Sequence, residues 1–138
     1  PLYSSAASDV YKRQVQIGTR FALTEESSAS SVFKDYCLSL REGDTKLLLK
    51  KLAPTRLVKN AFREAVEKAE DSGASAEDLR TLLGRGRAKK GIFEGDLEEG
   101  ELEIGQVSAI ISRRQSVAEV MDELVAAYQR AAKKDYLF

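Results

Sequence analysis

The stretch that most constrains the fold is VQIGTRF, an apolar run at residues 15 to 21 that is broken by a glycine and a threonine. We predict a β-strand that ends there. Gly18 has no Cβ, so a ligand can approach its backbone N–H, and the Thr19 hydroxyl can donate to an anionic oxygen. The next residues supply an N-cap and two acids for a helix beginning at Thr24 or Glu25. Strand, glycine and helix start follow the order of a phosphate-binding site. A strand that merely ends at a glycine turn has the same sequence pattern.

The composition limits which classes of protein are possible. A chain of 138 residues has room for one modest domain. Its 22 basic and 22 acidic residues leave no net charge, which argues against general nucleic-acid binding and against a polybasic membrane anchor. One cysteine and no histidine exclude an internal disulfide and the usual Cys/His zinc sites, so we predict no metal site. No apolar run approaches the roughly 20 residues that span a bilayer. We therefore expect a soluble, cytoplasmic protein.

The start of the chain differs from the rest. The first 14 residues, PLYSSAASDVYKRQ, show neither helical nor strand periodicity and join abruptly to the apolar run. We interpret residues 1 to 14 as a non-native segment translated from a cloning adaptor; a frayed native terminus is the alternative. The chain begins at Pro1, and its single methionine is Met121. We expect it to be the tail of a longer protein.

Apolar residues at three- and four-residue spacing predict five helices. They cover residues 25 to 40, 61 to 71, 75 to 84, 101 to 111 and 116 to 134. Ser75 with Asp78, and Ser116 with Glu119, have the spacing of a capping box. The helix after Ser116 is predicted to be the longest, with Met121 and Tyr128 in the core. Cys37 lies on the apolar stripe of the first helix, and we assign it no catalytic role because no histidine is present to activate it.

Between the first two helices, the chain contains a segment of ambiguous structure. TKLLLKKL at residues 45 to 52 fits a strand or a helical turn, since a short apolar run does not decide between them. Residues 56 to 60 alternate polar and apolar side chains and could pair with the first run as a small β ribbon.

Two charged stretches follow. RGRAKK at residues 85 to 90 fits a solvated basic loop, or an electrostatic contact for a phosphorylated substrate or an acidic carrier. GIFEGDLEEGELEIG at residues 91 to 105 is acidic, but its glycines interrupt the spacing of a calcium loop, so we reject a calcium site. In the helix predicted at 101 to 111, Gly105 is expected to mark close packing against another backbone. Its inward residues would be Leu102, Val107, Ile110 and Ile111.

Four segments in this order resemble a known family. They are VQIGTRF at 15 to 21, KLAPTRLVKN at 51 to 60, GRGRAKKGIFEGDLEEGELEIGQVSAII at 84 to 111, and the closing helix. The chain from residue 15 resembles the C-terminal part of the FMN-dependent nitronate monooxygenases, formerly 2-nitropropane dioxygenases, which include the flavin-type enoyl-acyl-carrier-protein reductases. The resemblance implies a fragment of an α/β (β/α)8 TIM barrel, mostly helical as present, with the last barrel strand and the small ribbon.

The resemblance also implies roles for individual residues. Gln16, Ile17, Gly18 and Thr19 would hold the phosphate of FMN. Residues 15 to 44 would be the last barrel strand and its following helix, 45 to 111 a substrate-side lid domain, and 112 to 138 a C-terminal helix that packs on the barrel. The family's catalytic histidine would lie upstream, so no catalytic residue is expected here. We expect the chain alone to be inactive.

For the parent protein, the resemblance implies an oxidoreductase that oxidises nitronates or nitroalkanes, small molecules, at a flavin. The alternative within the family is a reductase of enoyl thioesters in fatty-acid synthesis. A third hypothesis comes from a different class: a free-standing helical module that docks its Leu and Val stripes on a protein partner.

Overall fold

The computed structural model describes residues 15 to 134 of the 138-residue chain. The interpretation of residues 1 to 14 lies outside the described residues. The helices and strands are α1 (Thr19–Ala22), α2 (Ser31–Leu38), β1 (Thr45–Leu48), β2 (Thr55–Val58), α3 (Ala61–Asp71), α4 (Ala76–Leu83) and α5 (Val117–Lys134). A π-helical turn forms at Lys89–Phe93, and a 3-10 helix forms at Gln106–Ile110. About half of the described residues are thus helical, and the two strands form one small sheet.

The small ribbon forms: the strand alternative holds for residues 45 to 48, while residues 50 to 52 form a turn. β1 and β2 pair antiparallel, with Thr45 opposite Val58. Because successive side chains of a strand point to opposite faces, Leu57 and Val58 enter two different apolar clusters. The cluster around Val58 also contains Leu23, Phe33, Cys37, Leu40, Leu102, Ile104 and Ile111. The cluster around Leu57 also contains Leu48, Leu49, Phe62, Val66 and Leu79. The ribbon therefore forms the wall between two cores.

The N-terminal elements differ from the prediction. Residues 15 to 18 form no strand, because no described residue pairs with their backbone, and the chain turns into α1 at Thr19. The next helix, α2, begins at Ser31 and not at Thr24 or Glu25, since Ser30 caps it by accepting a hydrogen bond from the backbone N–H of Phe33. Residues 23 to 29 form turns and bends instead of a helix.

A buried lysine holds these turns in place. Lys34 is only 3% exposed. Its Nζ donates to the backbone carbonyls of Glu25 and Ser27 at 3.2 and 2.7 Å. Burial lowers the pKa of this amine. Helical periodicity cannot anticipate such a contact, because it depends on a side chain seven to nine residues downstream.

The helix predicted at 101 to 111 is also wrong. Residues 101 to 105 are extended against β2: the N–H of Val58 donates to the carbonyl of Leu102 at 3.0 Å, and the N–H of Ile104 donates to that of Arg56 at 3.3 Å. Pairing with a strand satisfies backbone groups that a helix would have satisfied internally. Leu102 and Ile111 are buried as predicted, but Val107 and Ile110 are exposed.

In the acidic loop, Gly91 and Gly100 lie in close backbone contact. A Cβ on Gly100 would lie 2.2 Å from the Cα of Gly91 and 2.3 Å from the carbonyl oxygen of Asp96. The two backbones can approach this closely only without side chains. Within the described residues, no group of histidine, cysteine and acidic side chains could hold a metal ion.

The helices α3, α4 and α5 match the prediction most closely. Ser75 and Asp78 form a capping box at the start of α4, and Ser116 and Glu119 exchange the equivalent hydrogen bonds before α5. α5 is the longest helix of the described part.

Two residues of α5 were placed wrongly in the core. Met121 and Tyr128 are 45% and 73% exposed, whereas Val120 is 1% exposed. Only one side of the wide apolar stripe of α5 meets the other described elements. Among the described helices, none is both long and apolar enough to cross a bilayer.

Candidate phosphate site

The four residues predicted to hold a phosphate lie where the N-terminal strip enters α1. Gln16 and Gly18 are exposed, while Ile17 and Thr19 are half-buried. Ile17 faces α5 across an apolar cleft of about 690 Å³. Gly18 and Thr19 are adjacent at the start of α1, whereas the Gln16 side chain makes no hydrogen bond to a described residue.

Gly18 is the N-cap of α1, and the described fold does not require a glycine there. Its φ of −99° is open to any residue. A Cβ would meet nothing within 4 Å. No described residue accepts a hydrogen bond from the N–H of Gly18, Thr19 or Arg20, which are donors at the start of a helix turn. A close approach by a ligand is one reason for a glycine at such a position.

Thr19 has one partner that the sequence did not reveal. Its Oγ1 accepts a hydrogen bond from the backbone N–H of Gly105 at 3.1 Å. The glycine was expected to pack on a backbone inside a helix; it packs on this side chain at the end of an extended segment. Both residues line a cleft of about 350 Å³ together with Ala22, Arg56, Glu103 and Ile104.

Arg20 joins the site to α5. Its Nη2 donates to Oε1 of Gln115 at 2.6 Å and forms an ion pair with Glu123. The Gln115 amide also donates to Glu123 at 2.6 Å, and this bond, with the neighbouring Arg113 and Arg20, lowers the pKa of that carboxyl. Sequence reasoning missed Arg20, although a cation directly after a Gly-Thr pair was a visible signal. Through these two contacts of its Nη2, Arg20 links α1 to the start of α5.

The donors at the start of α1 fit a phosphate monoester. Three backbone N–H groups without described acceptors and one hydroxyl proton can bind phosphate oxygens, and the missing Cβ of Gly18 leaves space for them. The adjoining cleft is lined by one acidic and one basic residue, Glu103 and Arg56. Gly18 and Thr19 thus offer a donor set that fits a phosphate group.

A second, larger cleft begins on the other side of Arg56. It measures about 760 Å³ and lies between the ribbon and the 3-10 helix. Its wall includes two guanidinium-bearing residues, Arg41 and Arg56, as well as the exposed apolar side chains of Val107 and Ile110. Arg56 is held in the wall by Thr45, whose Oγ1 accepts from Nη1 at 3.2 Å.

The basic stretch at residues 85 to 90 is largely engaged within the fold. Arg87 donates to the backbone carbonyls of Leu83 and Glu99 at 2.9 and 2.7 Å, and its guanidinium lies 4.5 Å from the ring centroid of Phe62. Lys89 and Lys90 form ion pairs with acids of the following loop. Lys90 lowers the pKa of Asp96 to about 2. These contacts within the fold favour the interpretation of the stretch as a loop over that of an electrostatic contact for a substrate or carrier.

Two other titratable groups have strongly shifted pKa values. Burial, together with the neighbouring Glu103, raises the pKa of Glu101 to about 7. Burial raises the pKa of the Cys37 thiol to about 12. A thiol that stays protonated inside the core is a poor nucleophile.

A family model and solved structures are similar to this chain. The family model described as nitronate monooxygenase matches residues 12 to 127. The structure of FabK from Thermotoga maritima is similar, with a TM-score of 0.72 and 27% identity; the match covers 87% of this chain and 38% of that one. A structure of a point mutant of the same FabK has a TM-score of 0.69 and 23% identity, over 87% and 35% of the two chains. The chain thus spans well under half the length of these solved structures. No curated protein matches it.

Proposed function

The chain belongs to the nitronate monooxygenase family, and from this premise we propose that the protein it represents is an FMN-dependent oxidoreductase acting on nitronates or nitroalkanes. The observation that carries the proposal is the family match over residues 12 to 127, with phosphate donors at the position the resemblance assigned to the cofactor. FabK is a flavin-type enoyl-acyl-carrier-protein reductase of the same family. The cofactor would accept the electrons removed from the substrate.

In this proposal the chain's own residues bind and orient. Gly18 and Thr19 hold the phosphate end of the cofactor. Gln16 and Ile17, which form no strand among the described residues, would lie beside it and pair as the last barrel strand in the whole protein. Arg20, through Gln115 and Glu123, sets the orientation of α1 against α5. Residues 45 to 111 form a substrate-side domain, and the catalytic histidine is supplied by the remainder of the protein.

The exposed side of α5 supports the proposed barrel contact. Val117, Met121, Val125 and Tyr128 are between 37% and 73% exposed. These residues lie on one side of the helix, as expected of a helix whose partner surface is the rest of a larger fold. Residues 112 to 138 would then pack back on the barrel, in a protein that we place in the cytoplasm.

The second candidate function is reduction of an enoyl thioester, which the similarity to FabK favours. The cleft of about 760 Å³ has room for more than a small nitronate, and its wall carries both guanidinium and apolar groups. The apolar part of this wall would suit an acyl chain, which a small nitronate lacks.

The test begins with flavin binding. Because the chain covers 38% of FabK, a chimera in which residues 15 to 138 replace the matching part of that enzyme supplies the missing barrel. We expect the chimera to bind FMN with quenching of flavin fluorescence, and the 138-residue chain alone to bind it weakly and to show no turnover. Micromolar FMN binding by the isolated chain would show that the site does not depend on the barrel.

Activity then separates the two candidate functions. Oxygen uptake with a propyl nitronate identifies a nitronate monooxygenase, and oxidation of a reduced nicotinamide with a crotonyl thioester identifies a reductase. As the chimera inherits the FabK catalytic region, the decisive measurement is the change in specificity relative to FabK itself. A folded chimera that binds no flavin would contradict the proposed function.

A further inference from the structure

Gly105 lies so close to Thr19 that there is no space for a side chain at residue 105, although its backbone conformation would allow one. Gly105 precedes the 3-10 helix with φ −71° and ψ 152°, a conformation open to any residue. A Cβ there would lie 2.5 Å from Oγ1 of Thr19, while the next nearest atoms are 3.8 Å away. A single oxygen atom is therefore what excludes a side chain at residue 105.

The hydrogen bond between them determines how the hydroxyl can be used. A threonine hydroxyl has one proton to donate and two lone pairs. The N–H of Gly105 occupies one lone pair at 3.1 Å, so the Thr19 proton points elsewhere, and no described residue accepts it. A hydroxyl held in this way is oriented before any anion arrives.

Gly105 is itself firmly placed. The preceding residue, Ile104, donates its N–H to the carbonyl of Arg56 in β2 at 3.3 Å, and its side chain is buried in a core cluster. The segment that reaches Thr19 is therefore an extension of the ribbon. It connects two parts of the chain that are 86 residues apart in sequence.

We propose that Gly105 is a positioning residue for the cofactor phosphate: its N–H fixes the Thr19 hydroxyl so that the hydroxyl proton faces the phosphate. This inference rests on the proposed function, in which Thr19 contacts that phosphate. It goes beyond it by linking phosphate recognition to the docking of residues 102 to 105 on the ribbon. Adding a methyl group at residue 105 displaces the hydroxyl and weakens recognition of the phosphate.

The first test measures whether the two residues act on each other. In the 138-residue chain, Gly105→Ala is expected to lower the melting temperature by roughly 5 °C, because the new methyl overlaps the Thr19 oxygen. In a Thr19→Ala background that oxygen is gone, and the same change is expected to have almost no effect. Equal effects in both backgrounds would mean that the close contact does not exist, and would overturn the inference.

The second test separates phosphate recognition from general damage to the site. Riboflavin has the ring of FMN but no phosphate. In the chimera, Gly105→Ala should weaken FMN binding roughly 10-fold or more and leave riboflavin binding unchanged, as expected for loss of a charge-assisted hydrogen bond. Thr19→Val should do the same, and the double variant should be no weaker than either single variant. A displaced lid would instead weaken both flavins.

The outcomes distinguish the two levels of the proposal. If the folded chimera binds neither flavin, the proposed function fails. If it prefers FMN and Gly105→Ala leaves that preference intact, the proposed function stands and the positioning role of Gly105 is refuted. Equal loss of FMN and riboflavin affinity would also refute that role.

Discussion

The contact between Gly91 and Gly100 leads to the sharpest prediction about folding. In Gly100→Ala, the new Cβ would lie 2.2 Å from the Cα of Gly91 and 2.3 Å from the carbonyl oxygen of Asp96. Carbon atoms pack at roughly 3.5 to 4.0 Å, so these backbones would have to separate by more than about 1 Å. Both neighbours are main-chain atoms, and no flexible side chain can yield.

That separation would disturb contacts on both sides. The carbonyl of Gly100 accepts from the Asn60 side chain, which also caps α3, and Gly91 packs on the buried side chain of Leu102. Overpacking typically costs about 1 to 3 kcal/mol. A clash between main-chain atoms should cost at least the upper value of this range. We therefore expect the free energy of unfolding to fall by about 3 kcal/mol and the melting temperature to fall by about 10 to 20 °C.

The matched control is Gly18→Ala. Nothing lies within 4 Å of its added Cβ, and φ is −99°, so stability should stay within about 1 kcal/mol of the wild type. Urea unfolding of the 138-residue chain, followed by circular dichroism, measures both variants. If Gly100→Ala unfolds at the same urea concentration as Gly18→Ala, the close contact of the two backbones is refuted.

Three further predictions concern other parts of the fold. The pKa of Glu101 is about 7 in the folded protein and near 4.5 when unfolded, so the native state binds the proton more tightly and stability should fall as pH rises from about 4.5 to 7. Glu101→Gln should remove this dependence and stabilise the protein at pH 8 by on the order of 1 to 3 kcal/mol; an unchanged pH profile would contradict this. Ser116→Ala should lower stability by about 1 kcal/mol, because α5 loses its cap, and an unaltered urea midpoint would count against that role. Arg87→Ala should lower stability by about 1 to 3 kcal/mol, because three backbone carbonyls lose their hydrogen-bond donor. The Arg85 side chain bonds to no described residue, so Arg85→Ala should leave stability unchanged. Equal melting temperatures of the two variants would show that the Arg87 contacts are unimportant.

Local signals in the sequence were sufficient for the helices that close the chain and for the ribbon's existence. The boxes of Ser75 and Ser116 depend on hydrogen bonds over three residues, and the apolar stripes repeat within one or two turns. Such interactions are complete within a short segment, so their outcome can be read from neighbouring residues. The Gly18-Thr19 pair was likewise visible as a candidate anion site, because glycine and hydroxyl chemistry belong to the residues themselves.

Contacts between distant segments decided the rest. Lys34 reaches back to the carbonyls of residues 25 and 27 and replaces a predicted helix with turns. Pairing with β2 keeps residues 101 to 105 extended despite their helical periodicity. Most importantly for function, Thr19 accepts a hydrogen bond from Gly105, and the residues next to either one in the sequence do not predict this contact. Backbone groups bind whichever partner the folded chain brings closest, so the chemistry of the site was readable from sequence, while its orientation was determined by tertiary structure.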